Sequence, residues 1–192
     1  MSRILYIIDN NKVSNYKYDI DQDTIIYHFS INSSSDVEIN LVKEGTRLDY
    51  YYNNINYDNN RFKISVNHLA SNTHSEVFNH GVNVYDNKLD YDVCGKVISS
   101  SSKCICNQDN QIINLVDGKS TILPKLLIDN YDVDSNHAAY IGKFKDEILF
   151  YLMSRGISRS QGYRLLLNGF LINSLDIDKN KIKDFIDEIE KI

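Results

Sequence analysis

The sequence predicts a mainly β body followed by a small α-helical region, and three observations support this. From Arg3 to Asn130, short apolar or β-branched runs are separated by Asn, Asp, Ser or Gly. No helical periodicity lies between these runs, which excludes a βαβ arrangement. From Phe144 onward the apolar residues recur with the spacing of amphipathic helices.

The candidate strands are short, and several alternate strictly between apolar and polar residues. In the run from Arg61 to Val66, for example, Phe62, Ile64 and Val66 fall on one face and the polar residues on the other. The predicted strands are Ile4–Ile8, Thr24–Ser30, Val37–Val42, Leu48–Tyr52, Phe62–Val66, Val82–Tyr85, Tyr91–Ile98, Lys103–Cys106, Ile112–Val116 and Ile122–Ile128.

These strands fit a sandwich, a barrel or a β-solenoid. Their spacing is nearly even, and hairpin dipeptides are almost absent, with Asp117-Gly118 as the one case. Sandwiches and up-and-down barrels depend on tight hairpins, whereas Asn and Asp suit the corners of a solenoid. The pattern alone leaves the solenoid and the sandwich equally open.

Three helices are predicted in the C-terminal part. The first has Ile148, Leu149, Tyr151 and Leu152 on one face and ends at Gly156. Ser158 and Gln161 form a capping box that opens the second helix, which continues through Phe170. The third has an apolar stripe at Ile182, Phe185, Ile186 and Ile189. These apolar stripes need a surface to pack against, and that surface could belong either to the β body or to another protein.

Composition limits the function. The chain has 192 residues, 42% of them hydrophobic and 24% charged, which is ordinary for a globular protein. The net charge of −5 argues against nucleic-acid and anionic-membrane binding. No apolar run approaches the roughly 20 residues of a membrane span. We expect a cytoplasmic protein whose three cysteines are reduced thiols.

A few residues could bind a metal or a cluster. His137 could coordinate through a ring nitrogen, or be a turn histidine that bonds a neighbouring carboxylate. Cys104 and Cys106 lie on one face if their segment is a strand, and thiolates suit iron. Buried apolar packing is the alternative for both thiols and the simpler interpretation for Cys94.

The remaining polar residues do not indicate an active site. The spacing of His68, His74 and His80 does not match metal ligands, and a surface corner is the expected role. The carboxylates of Asp129, Asp132 and Asp134 indicate a solvated turn. Phosphate-binding loops and the common hydrolase and zinc-protease motifs are absent from the sequence, so no enzyme is predicted.

Several segments together resemble one known family. They are His68-Leu69-Ala70-Ser71-Asn72-Thr73-His74-Ser75, Gly81-Val82, Gly95-Lys96-Val97, Asn110 with Leu115, Pro124-Lys125-Leu126-Leu127-Ile128, His137-Ala138-Ala139 with Gly142, Leu149 to Ser158, and Leu167 to Leu171. In order and spacing they are similar to the SufB/SufD family, the scaffolds of the SUF iron–sulfur cluster assembly system.

The resemblance implies a fold and partners. The fold is a right-handed parallel β-helix, residues 1–142, followed by a C-terminal helical domain, residues 143–192. The β-helix is expected to pair with a SufB-like paralogue or with a second copy, and the helices to dock a SufC-like ABC ATPase. Phe150, Tyr151, Arg155 and Gly156 are then the expected docking residues.

The resemblance also implies cluster chemistry. His137 inherits a proposed ligand role for a transient iron–sulfur cluster, and no tightly bound cofactor is expected. The cysteine that precedes this histidine in SufD-like members is Ser135 here, and the SufB cysteine position falls at about Gly118 or Lys119. The chain therefore looks like a shortened SufD-like member or a reduced single-type member, with Cys104 and Cys106 as speculative replacement ligands.

Two other functions are open. One is a non-catalytic structural or binding solenoid without cluster chemistry. The other is a carbohydrate-active β-helix enzyme, which requires a groove lined by carboxylates and aromatic side chains along the strands.

Overall fold

The computed structural model describes residues 2–172 and 175–192. Eleven strands lie in that part of the chain. They are β1 Arg3–Asn10, β2 Val13–Ile20, β3 Thr24–Ile31, β4 Ser34–Leu41, β5 Arg47–Asn56, β6 Asn60–His68, β7 His74–Asn83, β8 Leu89–Val97, β9 Cys104–Asn114, β10 Thr121–Ile128 and β11 Val133–Gly142.

The strands coil into a parallel β-solenoid with two sheets. Sheet A has the order β1-β3-β5-β7-β9-β11, and sheet B has the order β10-β8-β6-β4-β2. Every neighbouring pair in both sheets is parallel. A rung is one strand of sheet A with the next strand in sheet B. The solenoid is thus confirmed and the sandwich excluded.

Alternating side chains fill the space between the sheets. In β5, Leu48, Tyr50 and Tyr52 are buried and stack in register with equivalent positions of β3 and β7. In β6, the predicted inward face of Phe62, Ile64 and Val66 is also buried. Removing such side chains from water supplies most of the stabilisation, at roughly 25 cal/mol per Å².

Asparagines form several of the corners. Asn11, Asn32 and Asn72 adopt positive φ values of 48°, 45° and 55°, a conformation that asparagine tolerates better than most residues. Asn32 donates from Nδ2 to Oδ1 of Asn11 in the previous rung at 2.9 Å. The corner residues therefore link adjacent rungs.

Several strand predictions were wrong in detail. β2 and β11 were not predicted, and the predicted strands Lys103–Cys106 and Ile112–Val116 are parts of the single strand β9. The predicted strand Val82–Tyr85 is displaced, because β7 ends at Asn83. The inward-facing positions of β7 include Ser75, Asn79 and Gly81, so a search for alternating apolar residues could not find this strand.

The helices follow the strands. They are α1 Asp146–Ser154, α2 Arg159–Leu171 and α3 Lys183–Lys191, the last preceded by a 3₁₀ turn, Lys179–Ile182. The predicted capping box is present, with Ser158 Oγ accepting from the backbone N–H of Gln161. Gly156 follows α1 with φ +84°, as its predicted stop role requires. The strand-to-helix change falls between Gly142 and Asp146; the division into two domains stays a prediction.

Helices α2 and α3 cover the outer face of sheet A. Phe185 packs edge-to-face on Phe29 with 5.0 Å between ring centroids. Leu167, Leu171 and Ile189 lie in the same buried cluster. The body is therefore one partner of the helical stripes.

Candidate functional site

The solenoid ends in two edge strands, β10 of sheet B and β11 of sheet A, which together form the open end. Large apolar side chains remain exposed on them, among them Leu123, Leu127, Tyr140 and Ile141. An edge strand also carries a row of backbone groups without a sheet partner. The open end is therefore a surface suited to pairing with another strand.

His137 lies in the middle of β11, where it pairs in register with Gln108 of β9. Gln108 is buried between the sheets, so His137 lies on the same inward-facing side of its own strand. It is nevertheless exposed. The interpretation of His137 as a turn residue was wrong: it belongs to an edge strand at the open end.

Cys104 and Cys106 share one face of β9, as predicted, and both are buried. Val133 and Ser135 of β11 lie above them in register. Burial raises the pKa of the Cys106 thiol to about 11, and Cys104 Sγ lies 3.4 Å from Thr73 Oγ1. The Cys106 thiol is therefore held in its protonated form and both thiols are covered, and their role as ligands stays a prediction.

The remaining cysteine and histidines differ from expectation. Cys94 is half-buried on β8, not a core residue, and it lies on the side of β8 opposite the inward Val93. His68 is fully buried, not at a surface corner, and its ring nitrogens contact Thr73 Oγ1 at 2.8 Å and Ser75 Oγ at 2.9 Å. Burial lowers the pKa of His68 to about 4. His74 and His80 lie in β7 and do not join it in a metal site.

The possible metal-binding side chains of this chain are dispersed. Within residues 2–172 and 175–192, no three His, Cys, Asp or Glu side chains come close enough to hold a metal ion. His137 is the exposed nitrogen donor at the open end.

A second surface lies on α1. Leu149 is 3% exposed and anchors the helix, whereas Phe150 is 69% and Tyr151 59% exposed. The Arg155 guanidinium lies over the Tyr151 ring, 5.3 Å from its centroid. Gly156 borders an adjoining groove of about 580 Å³ whose other walls include Arg164 and Leu165. The four expected docking residues are thus all exposed on α1 and at its C-terminal end, but Phe150 borders a separate hollow with Met153 and Arg159. Their role in docking stays a prediction.

Comparison with known proteins identifies the family. Residues 10–170 match the family model described as SUF system FeS cluster assembly, SufBD core domain. The chain belongs to the SufBD family. Together with the solenoid, this confirms the resemblance drawn from the sequence.

Individual relatives agree. The chain is 31% identical over 134 residues to the iron–sulfur cluster assembly protein SufD of Bacillus subtilis, covering 68% of this chain and 30% of that protein. It is 30% identical over 106 residues to SufB of the same organism, covering 54% of this chain and 23% of that protein. A SufBD family protein of Pyrococcus horikoshii is 43% identical over 61 residues, 32% of this chain and 13% of that protein. This SufBD chain thus spans less than a third of the length of these relatives.

No helix in the described part of the chain is both long enough and apolar enough to cross a bilayer.

Proposed function

We propose that this chain is a non-enzymatic scaffold of SUF-type iron–sulfur cluster assembly in the cytoplasm, with the cluster as transient cargo. The observation that carries the proposal is His137, an exposed imidazole on β11, the last strand of sheet A in the SufBD core, which has a neighbouring strand on one side only. Neutral imidazole is a ligand for iron, and an edge strand is a place where a second chain can bind.

The open end is the proposed dimerisation surface. Parallel or antiparallel pairing along β11 would satisfy its backbone N–H and C=O groups. Leu127 and Tyr140, both exposed there, would lose contact with water on pairing. The partner is a SufB-like paralogue or a second copy of this chain.

Pairing also completes the cluster site in this proposal. His137 supplies one ligand, and the partner chain supplies the others. Cys104 and Cys106 take part only if β11 separates from β9, because Val133 and Ser135 cover them. Separation would expose both thiols to water and lower the pKa of Cys106 toward the ordinary range.

The proposed second partner is a SufC-like ABC ATPase that docks on α1. Exposed aromatic side chains, beside an arginine, are the residue types that dominate protein interfaces. ATP-driven closure of the ATPase would pull on the helices and shift the paired edge strands. This requires the docked ATPase to make different contacts in its two states.

Anaerobic reconstitution with iron and sulfide tests the proposal. The chain is compared alone, with a SufB-like protein, and with SufB-like and SufC-like proteins from the same organism. We expect a visible absorption band when a partner is present and its loss in the His137→Ala variant. If the visible absorption band is equally weak in every sample, the proposed role in cluster assembly is contradicted.

The alternative is a non-catalytic solenoid that supports a partner without carrying a cluster. The burial of both Cys104 and Cys106 favours this alternative. It predicts stable complexes with the SufB-like or SufC-like protein but no cluster that depends on His137, so the same samples distinguish the two.

A further inference from the structure

The outer face of sheet A carries a ladder of stacked aromatic rings that stops abruptly. Tyr27 stacks on Tyr51 with 5.4 Å between ring centroids, and Tyr51 stacks on Phe78 at 5.1 Å. The register partner of Phe78 on the next strand is Asp109, which has no ring. The ladder therefore ends at Phe78 on β7, and the next position, on β9, has no aromatic ring.

A hollow of about 330 Å³ lies at this point. This volume falls at the lower end of the roughly 300–1,000 Å³ of small-molecule sites. The strands contribute Tyr51, Asn53, Phe78, His80, Asp109 and Gln111 to its walls, and the C-terminal segment contributes Leu175.

Two buried polar atoms of the lining residues lack a hydrogen-bond partner among the described residues: Asn53 Nδ2 and His80 Nε2. Asn53 is 3% exposed. His80 donates from Nδ1 to the Phe170 carbonyl at 3.1 Å, and burial lowers its pKa, so Nε2 is an acceptor. An unsatisfied buried donor and acceptor each carry a cost of roughly 1–3 kcal/mol until a ligand or water satisfies them.

The Asp109 carboxylate adds two more acceptor atoms. It accepts from Nε2 of Gln111 at 3.0 and 3.2 Å, and no cationic side chain pairs with it in the part of the chain that the structure describes. Its negative charge disfavours phosphate and carboxylate ligands. An ammonium group could pair with Asp109, but it has no acceptor for Asn53 Nδ2. The ligand that satisfies all of these groups is therefore a neutral one that both donates and accepts hydrogen bonds.

Hydroxyl groups have this property, since each donates one hydrogen bond and accepts others. A ring that carries hydroxyls on its edge and C–H groups on its face can also continue the aromatic ladder beyond Phe78. We propose that this hollow binds a neutral hydroxylated ring of the pyranose class, with Phe78 under its face and Asn53, His80 and Asp109 at its hydroxyls.

The site binds such a ring without cleaving it. Glycoside hydrolysis uses two carboxyl groups on opposite sides of the scissile bond. Asp109 is the one carboxylate among the described residues that line the hollow. The carbohydrate-active enzyme considered from the sequence thus lacks its second catalytic group here.

A titration of the ¹⁵N-labelled full chain with D-glucose, D-galactose and D-mannose, followed by NMR, tests this inference, with D-glucuronate as the charged comparison. We expect at least one neutral sugar to shift the amides of the hollow, with a Kd of about 1 mM, and glucuronate to bind more weakly. Absence of shifts there with all three neutral sugars, or shifts confined to other surfaces, would overturn the site.

Two substitutions test the chemistry separately. Asp109→Asn removes the charge and Phe78→Leu removes the ring while keeping an apolar side chain; each is expected to weaken binding about five- to tenfold. Asp187→Asn, at an exposed carboxylate of α3, is the matched control. If a folded Asp109→Asn or Phe78→Leu variant binds the sugar as tightly as the Asp187→Asn control does, the assignment of these residues to the site is contradicted. If both variants unfold, the titration of the wild-type chain decides whether the site exists.

Discussion

Asp9 accepts a hydrogen bond from Nε2 of His28 at 2.9 Å, inside the solenoid where neither side chain is exposed. Tyr16 and Ser35 also donate to this carboxylate, and Lys12 forms an ion pair with it at 2.8 Å. Burial raises the pKa of Asp9, but the hydrogen bonds from His28, Lys12 and Tyr16 outweigh burial and hold it well below the usual range. The carboxylate is therefore charged in the folded protein.

The first prediction concerns this carboxylate. Asp9→Asn is expected to lower the free energy of unfolding by about 2–4 kcal/mol at pH 7, because an amide nitrogen would then face groups that donate. Chemical denaturation followed by circular dichroism measures this change. The control is Asp36→Asn in an exposed ion pair with Lys63, for which we expect a change within about 0.5 kcal/mol. Equal effects of the two substitutions would contradict the structural role of Asp9.

The second prediction is a pH dependence from His68. Its pKa is about 4 in the folded protein because of burial, against an ordinary value near 6.5. The unfolded chain therefore binds a proton at a higher pH than the folded chain, and stability decreases as the pH falls from 6.5 to 4. At about 1.4 kcal/mol per pH unit, this contribution reaches roughly 3 kcal/mol at pH 4.

Denaturation of wild type and His68→Gln at several pH values measures that contribution. The variant is expected to be less stable at pH 7 but to lose less stability on acidification. Parallel curves for the two proteins between pH 6.5 and 4 would show that His68 titrates normally in the fold.

The third prediction separates ligand from structural roles at His137. Because this side chain is exposed, His137→Ala should change the free energy of unfolding by less than about 0.5 kcal/mol. Cluster assembly with the partner proteins should nevertheless fall. Asn136→Ala, the exposed neighbour on the same strand, serves as the control for reconstitution. A marked drop in melting temperature for His137→Ala alone would assign it a structural role instead.

The fourth prediction concerns pairing at the open end. Leu127→Lys and Tyr140→Lys place charges on edge strands and should weaken the dimer at least about tenfold. Val13→Lys is the matched control, since Val13 is 81% exposed on the first rung. Sedimentation velocity over a concentration series measures association. If Val13→Lys alone dissociates the complex, the pairing surface lies at the other end of the solenoid.

The fifth prediction tests α1 as the ATPase docking surface. Phe150→Ser should leave the free energy of unfolding unchanged within about 0.5 kcal/mol, since most of the ring is in water, yet abolish co-purification of the ATPase. Leu149→Ala, one residue away and buried, should instead destabilise the chain by about 2–5 kcal/mol. Retention of the ATPase by folded Phe150→Ser would place docking elsewhere.

The residue pattern predicted most of the strands and the three helices, because the interior of most rungs is apolar and the helix signals are local. The solenoid itself was implied by the family resemblance, since the pattern left a sandwich equally open. Phe62, Ile64 and Val66 alternate as β-strands do, and Ser158 with Gln161 forms a complete capping box. Residues such as these encode their own local structure.

The edge strand and the interior polar groups could not be predicted in the same way. β11 is the last strand of sheet A, and most of its side chains are exposed. Its inward-facing positions include Ser135, His137 and Ala139, so the alternating apolar pattern that marks a buried strand is missing. Asp9 directly follows the continuous apolar run Ile4 to Ile8, so no alternation marks it as inward-facing, and its partner His28 is set by the register of β1 on β3. Such pairings depend on contacts between distant parts of the chain, which a local pattern does not contain.

The amides of Asn11 and Asn32, which bridge one corner to the next, have a consequence for how this protein can vary. Each coil interacts chiefly with its immediate neighbours, so stability accumulates coil by coil. The coil between Asn11 and Asn32, however, also carries His28 and Phe29, which contact Asp9 and Phe185. We therefore expect the number of coils to vary only where a coil lacks such contacts, so the coils that hold the helices and the buried carboxylate set a minimum length for the stack.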